Sequence, residues 1–315
     1  CGSDPALLWL WCRPAATAPI QPLAWEPPYA TGAAQEIATI TPTTGQGVPD
    51  LVALRGESPA EMFDAGIALF GGIKAFVKPG QSVVIKPNIG WDRPPESGAN
   101  ANPELVGRMV KRCFEAGAKE VFVFDHTCDN WVNSYSRSGI KAAVEAEGGT
   151  MVSGAVEEDY REIDVPNALR MKKPKVHRLI LDCDVFFNVP VLKHHGGAKL
   201  TCAMKNFMGL VWDRRFMHAN NLQQCIADAS LIRRPDLNVV DAFRVMSTGG
   251  PRGNANSIVR NMKSLLLSRD IVAVDTAGAR LIGFPLETVA HITNGEKLGL
   301  GTTKLNTLDI RRIML

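Results

Sequence analysis

From residue 51 onward, short apolar runs alternate with segments of helical periodicity, and this alternation limits the folds open to the chain. The segments 81–86 and 121–124 each contain at least three consecutive apolar residues, so both faces of each strand must be covered. Strands of this kind that alternate with helices predict a mostly parallel sheet with helices on both faces. We therefore predict an α/β domain over 51–315, and the pattern is compatible with two lobes.

Capping residues predict where several helices begin and end. Ser58-Pro59-Ala60-Glu61 is a capping box with proline at the first helical position, and it predicts a helix that runs to Phe76. A second helix is expected to begin at Asn102 and to end at Gly117. Asp270 is expected to cap another helix, whereas the role of Asp275 stays open. The remaining predicted elements are helices over 138–147, 200–210, 220–231 and 271–282, and strands over 185–189 and 237–240.

Residues 1–50 differ in composition from the rest of the chain, with eight of the 20 prolines and no lysine. Such a segment predicts an extended arm rather than a long helix. The chain begins with Cys1, as a mature bacterial lipoprotein does, so we expect lipid attachment there; a fragment that starts at a cysteine is the alternative. Tryptophans in the arm would lie at a lipid interface, dock on subunits of a membrane complex, or pack on the protein's own body: Trp9, Trp11 and Trp25.

Charge and cysteine spacing argue against several classes of protein. Lys and Arg number 35 and Asp and Glu 32, a net charge of +3, which gives no reason to expect a nucleic-acid partner. The seven cysteines include no C-x-x-C pair, which argues against a zinc ribbon, a thioredoxin-like site and an iron–sulfur cluster. A cluster would need four cysteines to converge without a local motif: Cys128, Cys183, Cys202 and Cys225.

Polar residues follow the predicted strands, at the edge of a parallel sheet where ligands bind. These residues are Lys86-Pro87-Asn88, Asp125-His126-Thr127, Lys193-His194-His195-Gly196-Gly197 and Asp241. A glycine-rich turn entering a helix would expose backbone N–H groups, which, with nearby lysines, suit a phosphate or carboxylate. Neither a P-loop nor a dinucleotide fingerprint is present. The sequence therefore predicts one Lys/His-rich cleft for an anion.

Within this cleft we assign roles by side-chain chemistry. The candidate catalytic residues are His195, Lys193 and Lys205, because imidazole titrates near neutral pH and the lysines carry charge. The candidate ligand contacts are Lys86, Asn88, Gly196, Gly197, Asn206 and Gly250. A divalent metal is an alternative occupant, and its ligands would be His195, His218, Asp125 and Asp241.

Taken together, these motifs resemble the family of domains of unknown function numbered 362, from about Ser82 to the C-terminus. The resemblance is carried by Lys86-Pro87-Asn88, Asn102-Pro103-Glu104-Leu105-Val106, Asn188-Val189-Pro190-Val191-Leu192-Lys193 with His195, Met204-Lys205-Asn206 with Gly209, Asp241, Gly250-Pro251 with Gly253, Ser268-Arg269-Asp270 and Ala273-Val274-Asp275. Members are often exported, so the resemblance implies an extracytoplasmic location on the periplasmic side. More distantly, the chain resembles the nickel-pincer lactate racemases, which have a two-lobed α/β cleft with similar residues.

Two functional hypotheses follow. In the first, an exported, lipid-anchored protein binds a small anion, a metal or a cofactor in the Lys/His-rich cleft. In the second, the protein is a non-catalytic accessory subunit of a membrane-associated complex and keeps the fold as a scaffold. The sequence leaves open whether the protein is an enzyme.

Overall fold

The computed structural model describes residues 47–315. The strands in this part of the chain are β1 (Leu51–Arg55), β2 (Ser82–Pro87), β3 (Glu120–Val123), β4 (Thr150–Met151), β5 (Tyr160–Glu162), β6 (Lys175–His177), β7 (Val185–Val189), β8 (Lys193–His195), β9 (Lys199–Thr201), β10 (Leu237–Met246), β11 (Val259–Ser268) and β12 (Ile310–Met314). The helices are α1 (Pro59–Ala68), α2 (Pro103–Glu115), α3 (Trp131–Arg137), α4 (Ile140–Ala146), α5 (Arg178–Asp182), α6 (Ala203–Asn206), α7 (Arg214–Ala219), α8 (Leu222–Ala229), α9 (Ile271–Ile282) and α10 (Ala290–Lys297).

Eight strands form the main sheet, in the order β12-β1-β11-β10-β7-β2-β3-β4. Five of the neighbouring pairs are parallel, whereas β11 is antiparallel to both β1 and β10. The remaining four strands form two hairpins, β5–β6 and β8–β9. The predicted α/β fold with a mostly parallel sheet is confirmed. The antiparallel strand β11 is not among the sequence-predicted elements.

Both faces of the sheet are buried, as the apolar strands predict. Val84 of β2 packs into a core with α5, α6, α8, α9 and α10. Its neighbours Val83 and Ile85 pack into a second core with α1, α2 and α4. Because successive side chains of a strand point to opposite faces, two separate cores on alternate residues mean that helices cover both sides.

The predicted helix caps are present. The side-chain oxygen of Ser58 accepts a hydrogen bond from the Glu61 N–H at 3.3 Å, and Asn102 accepts one from the Glu104 N–H at 3.0 Å. Asp270 accepts one from the Ala273 N–H at 2.8 Å. Helix α1, however, ends at Ala68 rather than at Phe76. Gly71 and Gly72 follow with φ of 92° and 77°, a left-handed conformation that stops the helix.

Two predicted elements need correction. The segment 200–210 is not one helix: β9 comes first, then the single turn of α6, then a 3₁₀ turn over Phe207–Leu210. The glycine-rich turn therefore joins β8 to β9 and does not enter a helix. The strand expected over 237–240 runs on to Met246, so Asp241 lies inside β10 rather than after its end.

The predicted arm over 1–50 lies almost entirely outside the described residues, and so do Cys1, Trp9, Trp11 and Trp25. Their predicted lipid and partner contacts stay predictions. Among residues 47–315, no helix combines the length and the apolar character needed to cross a membrane.

Candidate functional site

A cleft of about 1290 Å³ lies beyond the carboxyl ends of β2, β3 and β7. Nine Lys and Arg side chains and four Asp and Glu side chains line it. The cleft thus concentrates positive charge in a molecule whose net charge is only +3. Eight of the sequence-predicted site residues line this cleft: Lys86, Asn88, Asp125, Lys193, His195, Lys205, Asn206 and His218.

The floor of the cleft contains a buried ion pair. Lys86, at the end of β2, lies 2.8 Å through its Nζ from Oδ1 of Asp125, which follows β3. The same ammonium donates to Asn206 Oδ1 at 2.7 Å and to the Pro87 carbonyl at 3.0 Å. The ammonium thus donates two hydrogen bonds to neutral oxygens, and the Asp125 carboxylate balances its charge. Burial lowers the pKa of Lys86, and Asp125 opposes that shift.

A chain of buried amides continues from this ion pair across the sheet. Asn206 Nδ2 donates to Asn188 Oδ1 on β7 at 2.8 Å. Asn188 Nδ2 donates to Asn238 Oδ1 on β10 at 2.9 Å, and Asn238 Nδ2 donates to the Ser268 carbonyl on β11 at 3.1 Å. Because each amide donates a hydrogen bond to the next acceptor, this series of hydrogen bonds joins four neighbouring strands and α6 into one rigid base for the cleft.

Gly209 makes the closest backbone approach to the Lys86–Asp125 pair. A Cβ atom at this position would collide with Asp125 Oδ1 and would lie 2.8 Å from Lys86 Nζ. The Gly209 carbonyl also accepts a hydrogen bond from the His126 N–H at 3.2 Å. Glycine is therefore required here by space rather than by backbone angle.

Lys193 and Lys205 differ from Lys86 because no carboxylate pairs with either among the described residues. Lys193 is buried and donates to two neutral oxygens, Asn88 Oδ1 at 3.0 Å and the Ala99 carbonyl. Lys205 lines the cleft from α6, half-buried, and makes no hydrogen bond or ion pair within residues 47–315. Burial lowers the pKa of Lys193 to about 7, helped by the charge of Lys205, and burial lowers the pKa of Lys205 to about 8.

His195 is held in one orientation by the turn that follows it. Its Nδ1 accepts hydrogen bonds from the N–H groups of Gly197 at 3.1 Å and Ala198 at 2.9 Å. Burial, with the charges of Lys205 and Lys193, lowers the pKa of His195 to about 2, so the ring is neutral. A neutral ring that accepts at Nδ1 carries its proton on Nε2, so the remaining ring nitrogen is a donor.

Three further residues of the cleft received no role in the assignment from sequence: His126, Trp212 and Arg214. His126 donates from Nδ1 to the Val211 carbonyl at 3.0 Å, and its ring stacks on Trp212 with centroids 5.0 Å apart. Arg214 donates to the carbonyls of His126 at 2.7 Å and Thr127 at 2.6 Å. His126 follows a predicted strand directly, so that position was a usable signal. Trp212 and Arg214 follow no strand, and no sequence pattern indicates them.

Buried carboxylates outside the cleft hold its parts in place. Asp275 on α9 accepts hydrogen bonds from the Ala203 N–H at 2.6 Å and the Met204 N–H at 3.1 Å, at the start of the helix that carries Lys205. Asp241 accepts from the N–H groups of Asn102 at 2.8 Å and Phe243 at 2.9 Å. Burial raises the pKa of Asp275 to about 7 and that of Asp241 to about 6. Both are positioning residues.

Four predicted site residues do not line the cleft: Gly196, Gly197, Gly250 and Asp241. Gly197 instead orients His195. Gly250 packs against the backbone of β8, where a Cβ atom would collide with the His194 carbonyl oxygen.

The predicted metal ligands do not fit a metal centre. No group of three or more His, Cys, Asp or Glu in residues 47–315 could hold an ion. Asp125 is paired with Lys86, Asp241 caps backbone N–H groups, and His195 presents a proton rather than a lone pair. His218 lines the cleft from α7 and is exposed.

The model of the family described as "Domain of unknown function (DUF362)" matches residues 83–280. A thylakoid-associated protein of Synechocystis sp. is 25% identical over 241 residues, which are 74% of this chain and 73% of that protein.

Two solved structures also resemble the chain. A Thermotoga maritima protein from a structural genomics consortium is 13% identical with a TM-score of 0.46, and the match covers 71% of this chain and 59% of that one. The lactate racemase apoprotein of Thermoanaerobacterium thermosaccharolyticum is 13% identical with a TM-score of 0.40, over 67% and 54% of the two chains. The residues that match the family model make up more than half of the chain, and they include the strand ends that build the cleft. The chain therefore belongs to the family of domains of unknown function numbered 362.

Proposed function

We propose that the cleft binds a small multivalent anion, a phosphate or a compound with carboxylate groups. One observation carries this proposal. The Lys205 ammonium lines the cleft and has no hydrogen-bond or ion-pair partner among the residues that the structure describes. A half-buried ammonium without a counter-ion is unfavourable, and a bound anion would offset that cost.

The neighbouring cations favour a ligand with more than one negative charge. Lys193 donates to neutral oxygens, and Arg214 donates to backbone carbonyls and to the Cys128 thiol. With Lys205, these residues make three cations without a carboxylate partner in residues 47–315. The Nε2–H of His195 adds a neutral donor to the same cleft. A dianion would use this set more fully than a monocarboxylate would.

The same residues could transfer protons if the ligand reacts in the cleft. Lys193 with a pKa of about 7 and Lys205 with a pKa of about 8 each exchange a proton near neutral pH. General acid–base catalysis is most efficient when the pKa of the group lies near the working pH. We assign proton transfer to these lysines rather than to His195, whose pKa of about 2 keeps the ring neutral.

Calorimetric titration with inorganic phosphate tests the proposal. We expect saturable binding that weakens at least about tenfold in Lys205→Gln, a loss of about 1.4 kcal/mol. Lys141→Gln is the matched control, because Lys141 is an exposed lysine of α4 that forms an ion pair with Glu145 at 3.9 Å and does not line the cleft. Absence of phosphate binding, or equal losses in the two variants, would contradict an anion site at Lys205.

We further propose association with a membrane, as the name of the Synechocystis relative suggests. An extracytoplasmic, lipid-anchored protein and an accessory subunit of a membrane complex are both consistent with that name. Fractionation of the native cells, followed by intact-mass measurement of the recovered protein, tests both ideas. Recovery in the membrane fraction with acyl groups on Cys1 would support the anchor, and recovery there without acyl groups would favour a protein partner. A protein found only in the soluble fraction would contradict both.

A further inference from the structure

We infer that the ligand carries a flat ring next to its anionic group, and that this ring packs against Trp212. This inference rests on the proposed anion site and names the class of ligand that the site takes. The first observation behind it is the size of the cleft. The cleft measures about 1290 Å³, whereas pockets for drug-sized molecules measure about 300–1,000 Å³. An inorganic anion would leave most of that space unfilled.

The space beside the cations has an apolar wall. Trp212 and His126 both line the cleft, with ring planes only 9° apart. Tyr160 contacts both rings, with centroids 5.2 Å from Trp212 and 5.8 Å from His126. Further apolar side chains also line the cleft: Trp91, Met171, Met208, Val211 and Phe216. Aromatic rings at a binding site favour ligands that offer a flat face or edge.

The aromatic wall is held firmly. The backbone N–H of Trp212 donates to the Lys175 carbonyl at 3.0 Å, and an isolated β-bridge joins Val211 to Val176 of β6. Nδ1 of His126 donates to the Val211 carbonyl at 3.0 Å. Burial lowers the pKa of His126, so its ring is neutral and presents no charge to an apolar group. A ring surface held in this way loses little freedom when a ligand packs on it.

One of the cations, Arg214, adjoins the wall. Arg214 is two residues after Trp212, and its guanidinium donates to the His126 carbonyl at 2.7 Å. An anion bound by Arg214 therefore lies next to the His126–Trp212 pair, and a ring attached directly to that anion would meet the pair. A ring phosphate or a ring carboxylate has this connectivity, in which the charged group is bonded to the flat part.

Three phosphate compounds separate the contribution of the ring from that of the charge. Inorganic phosphate, cyclohexyl phosphate and phenyl phosphate present a similar anionic group with no ring, a puckered ring and a flat ring. We expect phenyl phosphate to bind at least about tenfold more tightly than inorganic phosphate, and cyclohexyl phosphate to fall between them. We expect this affinity ratio to fall close to one in Trp212→Leu and to be largely restored in Trp212→Phe.

Trp131→Leu is the matched control, because Trp131 lies on α3 and does not line the cleft. Its affinity ratio should equal that of the unmodified protein. The inference would be overturned if the three compounds bound equally well, or if the ratio of phenyl phosphate to inorganic phosphate affinity were unchanged in Trp212→Leu. In either case, phosphate binding that depends on Lys205 would still support the anion site. Failure of all three compounds to bind the unmodified protein would overturn both. If Trp212→Leu does not fold, the affinities for cyclohexyl phosphate and phenyl phosphate are compared in Trp212→Phe and in the unmodified protein. Tighter binding of phenyl phosphate in both proteins would support a flat ring, and equal affinities would overturn the inference.

Discussion

Lys86 and Lys205 reach the same cleft, yet their surroundings differ in kind. The ammonium of Lys86 is fully buried, donates hydrogen bonds to two neutral oxygens and forms an ion pair with the Asp125 carboxylate. The ammonium of Lys205 is half-buried and has no partner in residues 47–315. One lysine is part of the internal structure of the sheet edge, and the other is left to interact with what enters the cleft. Residue type alone therefore does not identify a binding residue; its set of partners does.

The largest expected effect is on folding stability and separates the two lysines. Lys86→Met leaves the buried Asp125 carboxylate without its cation, and we expect a loss of about 3–5 kcal/mol in the free energy of unfolding. Lys205→Met removes a cation that pairs with nothing in the described part of the chain, so its free energy of unfolding should change by less than about 1 kcal/mol. Urea unfolding followed by circular dichroism measures both. Similar losses in the two variants would mean that the contrast between the lysines is wrong.

A glycine next to the ion pair sharpens the contrast. Gly209→Ala would force Asp125 or Lys86 to move, since the new Cβ atom collides with the carboxylate, and we expect a loss of about 1–3 kcal/mol. Gly196→Ala is the control, because a Cβ atom at Gly196 has no neighbour within 4 Å and its φ is not positive. Its free energy of unfolding should stay within about 0.5 kcal/mol of the unmodified protein. A destabilised Gly196→Ala with an unaffected Gly209→Ala would show that the ion pair tolerates displacement.

The smallest expected effect is the pH dependence of anion binding. Lys193 with a pKa of about 7 and Lys205 with a pKa of about 8 are both protonated below about pH 6 and lose their charge as the pH rises. Sulfate keeps its charge over this range, so its affinity should fall about tenfold between about pH 6 and pH 9. Titration calorimetry at several pH values measures the profile.

The variant Lys205→Gln provides an internal check on that profile. The charge of Lys205 is the second cause of the lowered pKa of Lys193, after burial. Its removal should therefore move the remaining fall in sulfate affinity toward higher pH. A sulfate affinity that does not change between about pH 6 and pH 9, or one that rises, would show that these lysines do not bind the anion in their charged form.

Much of the fold could be predicted from local patterns in the sequence. The caps at Ser58, Asn102 and Asp270 and the apolar runs of β2 and β3 are local signals, and the structure contains each of them. Strand β11 was not predicted, because its first half mixes apolar and polar residues and its first three residues are exposed. The segment 200–210 was misassigned because a short hairpin strand and two short turns carry the same apolar residues as one helix.

The positions of the candidate site follow partly from the same local signals. Residues directly after parallel strands meet at one sheet edge, so Lys86, Asp125 and Lys193 could be placed together from sequence. Asp241 was placed with them because its strand was predicted to end six residues before it does, and in the structure that carboxylate accepts hydrogen bonds from the backbone N–H groups of Asn102 and Phe243 instead. Arg214 and Trp212 are brought to the cleft by α7 and the preceding loop, far along the chain from any strand end.

Periodicity, capping and strand-end residues thus establish from sequence alone that the chain is an α/β protein with a lysine-rich edge. They act over a few residues, and every neighbour that they require is close in the chain. The pairing of charges is different, because Lys86 meets Asp125 and Asn206 across long separations, and Arg214 meets His126 across 88 residues. Whether a lysine is paired with a carboxylate, as Lys86 is, or has no such partner in residues 47–315, as is the case for Lys205, depends on a few ångströms of side-chain placement. Only long-range packing sets those distances, and so the tertiary structure alone distinguishes the lysine that holds the sheet from the lysine that faces the cleft.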